Sequence, residues 1–323
     1  MATTDTPTAE YRVLTEGCAL VDRSERGKLA LTGAEAASFL SGQVTNDVEA
    51  LAEGTGCYAA FLTHKGKMLG DLRILRVGAP GVPGSELLLD TERVALQALF
   101  DLIRRFKIGF DVEVHKRTLE SGLLSLIGPG AREVAGAADL PETEHAHRAD
   151  EIGDRPARLV VTDTGLDVLC DAADTDAVEA ALRAQGAEPA SEAAAEIVRV
   201  ERGRPRYGVD TDDATIPQEA GLNERAVSFT KGCYVGQETV ARLFYRGKPN
   251  RHLRGLALSE PAPVGAALHL GEREVGRLTS SVISPALGPI ALALVRREAA
   301  PGDTLAVHGG ATATVVELPF IPR

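Results

Sequence analysis

From about residue 250 to its end at residue 323, the sequence carries no helical periodicity, and this is its tightest architectural constraint. Short apolar runs such as "RGLAL", "EVGRLTSSVI" and "PIALALV" are broken by Gly, Pro and charged residues about every eight to twelve positions. Strands this short can bury their apolar faces only against one another, which predicts a small β-barrel or sandwich. Upstream, helix and strand signals alternate. The chain therefore divides into an α+β region, residues 1–245, and an all-β module, residues 246–323.

Within the α+β region the first fifteen residues are polar and predicted to be loose. "GCALVDRSERGKLALTG" reads as strand, and "AEAASFLSGQVTNDV" as a helix capped by Thr32, with Glu35 at capping-box spacing. "GCYAAFLTHKGKMLGDLRILRV" reads as a hairpin turning at Gly66. "GAPGVPGSE" is a surface connection. "TERVALQALFDLIRRF" has the spacing of an amphipathic helix, with Val94, Leu96, Leu99, Leu102 and Ile103 inward. Strands follow at "DVEVHKRT" and "GLLSLIGP", a helix at "AREVAGAADL", and a strand pair at "ARLVVTDTGLDVLCD". The helices "TDAVEAALRAQG" and "SEAAAEIVRVERG" come next, the second stopped by Gly203 and Pro205.

A formal net charge of −11 makes the surface as a whole repel phosphate backbones, which argues against a dedicated nucleic-acid binder. No apolar run approaches ~18 residues and the N-terminus lacks a basic segment followed by an apolar one, so a soluble cytoplasmic protein with no membrane contact is expected. The cysteines Cys18, Cys57, Cys170 and Cys233 form no CxxC pair, which leaves no zinc or iron–sulfur ligand run. His145 and His147 lie among acidic residues and read as loop rather than metal ligands; no metal site is expected.

Three constellations could carry chemistry. In "KGCYVGQE" (231–238), Cys233 sits among polar and turn-forming residues, whereas a structural cysteine is usually a small core hydrophobe. Lys231 nearby would favour the thiolate. Next, Arg242, Arg246, Lys248, Arg251 and Arg254 follow with no acidic residue between, which reads either as a solvated hairpin or linker or as an anion-docking stretch with Phe244 and Tyr245 available to stack. Finally, Asp71 and Asp167 interrupt apolar strands, where a carboxylate is costly unless exposed or paired. With Tyr58 and Arg199 they could line a pocket, and a carboxylate accepting two parallel N–H bonds suits the amino-pyrimidine edge of a pterin.

"KGCYVGQE" resembles the signature of the YgfZ-type folate-binding proteins, whose superfamily includes mitochondrial iron–sulfur assembly factors and the aminomethyltransferase (T-protein) of the glycine cleavage system. "LSGQVTNDVEAL", "CYAAFLTHKGKMLGDLRIL", "RVERGRPRYGVDTDDATIPQEAGL" and "VGRLTSSVISPALGPIALALV" are similar to further segments of that superfamily. The resemblance implies a three-domain clover-leaf fold: two intertwined α+β subdomains and a C-terminal β-barrel around a central tetrahydrofolate channel. The T-protein's folate carboxylate falls on Asp71, with Gly70 in place of the Asp before it. Its pterin-binding Glu falls on Asp167, one methylene shorter, its pocket Tyr on Tyr58, and an arginine of its "RLE" stretch on Arg199.

By that resemblance the chain would be a tetrahydrofolate-binding accessory protein supporting iron–sulfur enzymes or their assembly proteins, including tRNA-modifying ones, with a working thiol at Cys233 beside Lys231. The alternative is a folate-dependent aminomethyl- or methyltransferase; whether the chain turns over a substrate stays open. Residues 242–254 could dock a partner, tRNA or the polyglutamyl tail of folate.

Overall fold

The computed structural model describes residues 6–79, 82 and 84–321. It opens with α1 (Thr6–Glu16), in the stretch expected to be loose. Tyr11 and Leu14, three positions apart, suffice to bury one side of this helix, and the Tyr11 hydroxyl donates to Glu201 Oε1 at 2.9 Å.

After β1 (Ala19–Asp22) come β2 (Gly27–Thr32) and α2 (Ala36–Gln43). Thr32 does not cap this helix. It ends β2 with its hydroxyl 2.8 Å from His115 Nε2, while Glu35 stands at the N-cap and accepts from the backbone N–H of Asp111. The expected hairpin is β3 (Gly56–Leu62) and β4 (Met68–Val77), turning at Gly66 with φ +74°. Pro80, Gly81 and Pro83 of the following connection lie outside the described residues. Next are β5 (Glu86–Thr91), α3 (Leu96–Phe106) and β6 (Glu113–Lys116). Leu99, Leu102 and Ile103 of α3 are buried, but Val94 precedes the helix and is exposed. These strands form an antiparallel sheet in the order β3-β4-β5-β2-β6.

The second sheet has the order β11-β1-β7-β10-β9-β8, so the first strand of the chain is built into it. Its further members are β7 (Ser121–Ile127), β8 (His147–Ile152), β9 (Arg155–Val161), β10 (Gly165–Asp171) and β11 (Glu188–Pro189). Between them run α4 (Ala131–Val134) and α5 (Thr175–Ala184). The helix predicted from "AREVAGAADL" is thus one turn long, ended where Gly136 turns left-handed at φ +64°. His145 lies in a turn, as expected of a loop residue, whereas His147 opens β8; both are buried.

Helix α6 (Glu192–Glu201) is capped by Ser191, whose hydroxyl accepts from the Ala194 N–H. One side packs on Ala19, Val21 and Ile127 of the second sheet, and Val200 packs on the barrel. After α7 (Asn223–Ala226), residues 237–246 form α8 (Gln237–Arg246) instead of the hairpin or linker weighed from the charge run. The predicted all-β module is a closed barrel of β12 (Arg251–Leu258), β13 (Ala267–Leu270), β14 (Arg273–Ser284), β15 (Gly288–Arg296), β16 (Thr304–Val307) and β17 (Thr312–Val316).

Candidate functional site between the two sheets

Side chains opposite each other in an antiparallel pair share a face. Tyr58 pairs with Arg73, Arg73 with Asp90, and Asp90 with Lys28, so a polar row crosses β3, β4, β5 and β2. Asp71, two residues before Arg73, shares that face. The adjacent row, Cys57, Ile74, Leu89 and Leu29, points the other way into the core under α2 and α3. Asp71 therefore interrupts an apolar strand because the strand has one apolar face and one that meets the second sheet.

On that second sheet Asp167 lies opposite Ser125. Ser125 Oγ donates to Asp167 Oδ1 at 2.6 Å, and Arg73 Nη1 reaches across from the first sheet to Asp167 Oδ2 at 2.6 Å. Arg73 Nη2 is 2.9 Å from Asp90, which also accepts from Arg26 Nε at 2.8 Å. Arg26 continues to Glu92, Glu92 to Arg206, Arg206 to Glu192, and Glu192 to Arg23. The seam is a ladder of alternating charge in which Asp90, Glu92 and Glu192 each stand between two guanidinium groups and Asp167 ends the row. Such a ladder specifies how the sheets meet more than it stabilises them, because desolvation offsets much of the attraction.

At the other end of the seam the Arg225 guanidinium lies over the Tyr58 ring, 4.3 Å from its centroid, and is held from behind by Glu144. The "TND" segment positions this pair. Thr45 Oγ1 donates to Ala226 O at 2.6 Å and accepts from the Ala60 N–H, while Asn46 donates to Tyr58 O at 2.8 Å. These bonds tie β3, which carries Tyr58, to α7, which carries Arg225. His145 lies parallel to Tyr58 on another side, with centroids 6.4 Å apart.

These groups enclose a cavity of about 190 Å³, lined by Tyr58, Asp71, Glu92, Arg199, Arg202 and Arg225 among others. A neighbouring lobe of about 150 Å³ reaches Arg73, His145 and Asp167. Both lobes are bordered by Arg23, Arg26, Tyr58, Asp163, Thr164 and Arg225. A larger cleft of about 450 Å³ between Lys28, Leu88, Arg158 and Cys170 contains none of the aromatic or acidic groups of this cavity except Asp90.

Burial pushes the Asp71 carboxyl up to about 6, against the hydrogen bond from the Tyr58 hydroxyl, which pulls it down. Burial, and then the Asp71 charge, hold the Tyr58 phenol well above its ordinary range. His145 is pushed down to about 4 by burial, against the pull of Glu144, so its imidazole is neutral at pH 7.

Of the residues expected at the site, Tyr58 borders both lobes, Asp71 the larger and Asp167 the smaller. Arg199 also borders the larger lobe, but its donors are engaged: Nε and Nη2 with Glu196, Nη1 with Asp210 and Arg204 O, and Nη2 with Ser280 Oγ. A guanidinium has five N–H groups, so this set leaves none for a ligand. Arg199 instead joins α6, the 204–210 segment and β14.

Cys233 is exposed, and it lines neither lobe. The loop around it is firmly held. Tyr234 is buried, and Gly236 takes φ +85° where an added Cβ would stand 2.6 Å from Thr63 O. Lys231 Nζ donates to the carbonyls of Ser41 and Val44 at the C-terminal end of α2, a position that suits a cation. Burial lowers the Lys231 amine to about 8, and the thiol that feels its charge is Cys57. The pairing of Lys231 with Cys233 suggested by their spacing is thus replaced in space by a helix clamp.

The basic stretch also divides. Arg251 pairs with Glu219 and Arg254 with Glu317, whereas Arg242, Arg246 and Lys248 have no ion-pair partner among the described residues. Phe229 stacks on Phe244 at 3.8 Å, and Tyr245 meets Phe244 edge-on. Sequence reasoning missed Arg73, Glu144, His145 and Arg225. Only Arg73 carried a signal, a charge inside an apolar strand like that of Asp71.

Among the described residues no group of three or more His, Cys, Asp or Glu could hold a metal ion, and no helix is long and apolar enough to cross a membrane. Residues 2–231 match the GCVT N-terminal domain and residues 251–321 the glycine cleavage T-protein C-terminal barrel domain. An aminomethyltransferase of Thermotoga maritima is 30% identical over 331 residues, covering 96% of this chain and 88% of that protein. The putative transferase At1g60990, chloroplastic, of Arabidopsis thaliana is 28% identical over 320 residues, covering 95% and 72%. The crystal structure of glycine cleavage system aminomethyltransferase T from Bartonella henselae superposes with a TM-score of 0.86 at 24% identity, covering 99% of this chain and 91% of that one, a likeness of fold alone.

Proposed function

Because the chain belongs to the glycine cleavage T-protein family, we propose that it binds tetrahydrofolate between Tyr58, Asp71 and Arg225 and acts as an accessory protein for iron–sulfur enzymes, including tRNA-modifying ones. The observation that carries the folate reading is the meeting of a flat Tyr58–Arg225 layer and a buried, protonatable Asp71 carboxyl on one cavity. A reduced pterin is flat on its faces and polar around its rim, and these residues offer a matching surface and acceptor. Tetrahydrofolate, when bound, supplies a carrier nitrogen for one-carbon units. Asp71 would hold or release a proton beside it, and Tyr58 would keep that carboxyl oriented. Arg202, which borders the cavity and has no ion-pair partner among the described residues, suits a glutamyl carboxylate better than residues 242–254, which do not border it.

The accessory role is supported by the Cys233 thiol, presented outward by an anchored loop. The exposed rings and unpaired cations of α8 next to it suit a client's surface. Calorimetric titration of the full chain with tetrahydrofolate tests the pocket, with micromolar binding expected and none in Asp71→Ala. Expression of Cys233→Ala in a deletion strain tests the thiol; full recovery of iron–sulfur enzyme activity would remove it from the reading.

A second reading, aminomethyl transfer, is favoured by the relatives named aminomethyltransferase and by the placement of Asp71. Asp71 would then stabilise charge developing on the folate nitrogen. Incubation with tetrahydrofolate and an aminomethyl-lipoyl carrier decides it: turnover that disappears in Asp71→Asn favours transfer over the accessory role.

A further inference from the structure

Several observations meet at His145. It is the one non-glycine residue with positive φ among the described residues, at φ 70°, in the left-handed region where histidine, with asparagine and aspartate, is found more often than other side chains. Its backbone N–H donates to Val161 O at 2.8 Å, which pins the residue beside β9. The side chain is 6% exposed, yet neither ring nitrogen has a hydrogen-bond partner. Glu144 Oε1, 3.7 Å from Nε2, is beyond bonding distance. The ring lies parallel to Tyr58, with 19° between planes, and borders the smaller lobe together with Arg73 and Asp167.

Asp167 is the opposite case. Its two oxygens already accept from Ser125 and Arg73. A carboxylate retracted onto those partners is poorly placed to take two parallel N–H bonds from a ligand. Resting on the folate reading above, we propose that His145 supplies the hydrogen-bonding edge that meets the pteridine ring, and that Asp167 is a positioning residue that fixes Arg73. A neutral imidazole carries one N–H donor and one bare nitrogen acceptor, and a pteridine has groups of both kinds on its rim. Leaving both nitrogens unpaired in a buried site is costly, and a ligand that pairs them removes that cost on binding. The burial and the nearby Arg73 and Arg225 charges that keep the ring uncharged preserve this donor–acceptor character.

The test compares tetrahydrofolate titrations of the full wild-type chain, His145→Phe and His145→Asn. Phenylalanine keeps the stacking ring and removes both nitrogens. Asparagine tolerates the left-handed backbone and keeps one donor group and one acceptor. Binding is expected to weaken about tenfold to a hundredfold in His145→Phe, with His145→Asn tighter than His145→Phe. In wild-type protein with ¹⁵N-labelled histidine, the ring signals missing from the spectrum of His145→Asn are expected to shift when tetrahydrofolate is added. Equal affinity of wild type and a folded His145→Phe overturns the inference while leaving the pocket intact. Should His145→Phe fail to fold, unmoved ring signals in saturated wild-type protein overturn it instead. No binding by wild type sinks the folate reading, and this inference with it.

Discussion

Asp71→Asn should stabilise the protein while impairing its pocket. The side chain is 4% exposed, and its carboxyl titrates at about 6 against an ordinary 3.8. The groups that face it are Tyr58, Glu92, Arg26 and Arg225. Burial and the Glu92 charge raise it, and the phenol and the two cations offset only part of the rise. The folded protein thus binds a proton that the unfolded chain has released between pH 3.8 and 6. The contribution of this group to stability therefore falls as pH rises through that window and bottoms out above it. A raise of this size means that the ionised form costs about 3 kcal/mol at pH 7.5 and roughly half of that at pH 5. Asparagine has the same shape, no charge, and a carbonyl that still accepts from Tyr58. Urea denaturation should show Asp71→Asn more stable by about 3 kcal/mol at pH 7.5, with the gain about halved at pH 5. The same variant should bind tetrahydrofolate more weakly, a trade expected where a charge is buried for function. A variant no more stable than wild type at pH 7.5, or a gain independent of pH, would refute the claim that Asp71 is held at a cost by a dry cavity.

Arg73→Met leaves Asp167 without its cross-sheet partner and Asp90 with one cation fewer; a loss of about 3–5 kcal/mol is expected in chemical denaturation. Adding Asp167→Asn should recover part of that loss, and strictly additive effects would show the pair uncoupled. Under native conditions brief iodoacetamide treatment should label Cys233 ahead of the buried Cys18 and Cys170 and of Cys57, whose thiol burial pushes up to about 12; peptide mass mapping that finds Cys57 first would contradict this order. Gly236→Ala should cost at least about 2 kcal/mol, since it combines a left-handed backbone with a close approach to Thr63 O. Gly232→Ala, with open space around it, should stay within about 0.5 kcal/mol, both variants being compared with wild type by chemical denaturation.

What is local is legible in the sequence itself. The hairpin turning at Gly66 and the stop of α6 at Gly203 follow from their own residues. Short interrupted runs from residue 251 onward announce the barrel. These depend on backbone geometry within a few residues, which sequence spacing encodes directly. Residue type suggests that Tyr58, Asp71, Asp167 and Arg199 share a pocket, and the resemblance assigns them to one; no spacing could supply that grouping. Only the tertiary structure decided who meets whom. Arg73 finds Asp167 across 94 residues, Arg225 reaches Tyr58 from the short helix α7, and His145 borders the cavity from a buried turn. Proximity along the chain misled where side chains are long. Lys231 is two residues from Cys233, yet its amine spans to the carbonyl end of α2, and the Arg199 donors go to Glu196, Asp210, Arg204 O and Ser280. A buried charge goes to whichever partner best replaces its water, and that partner is set by the packing of sheets rather than by distance in sequence.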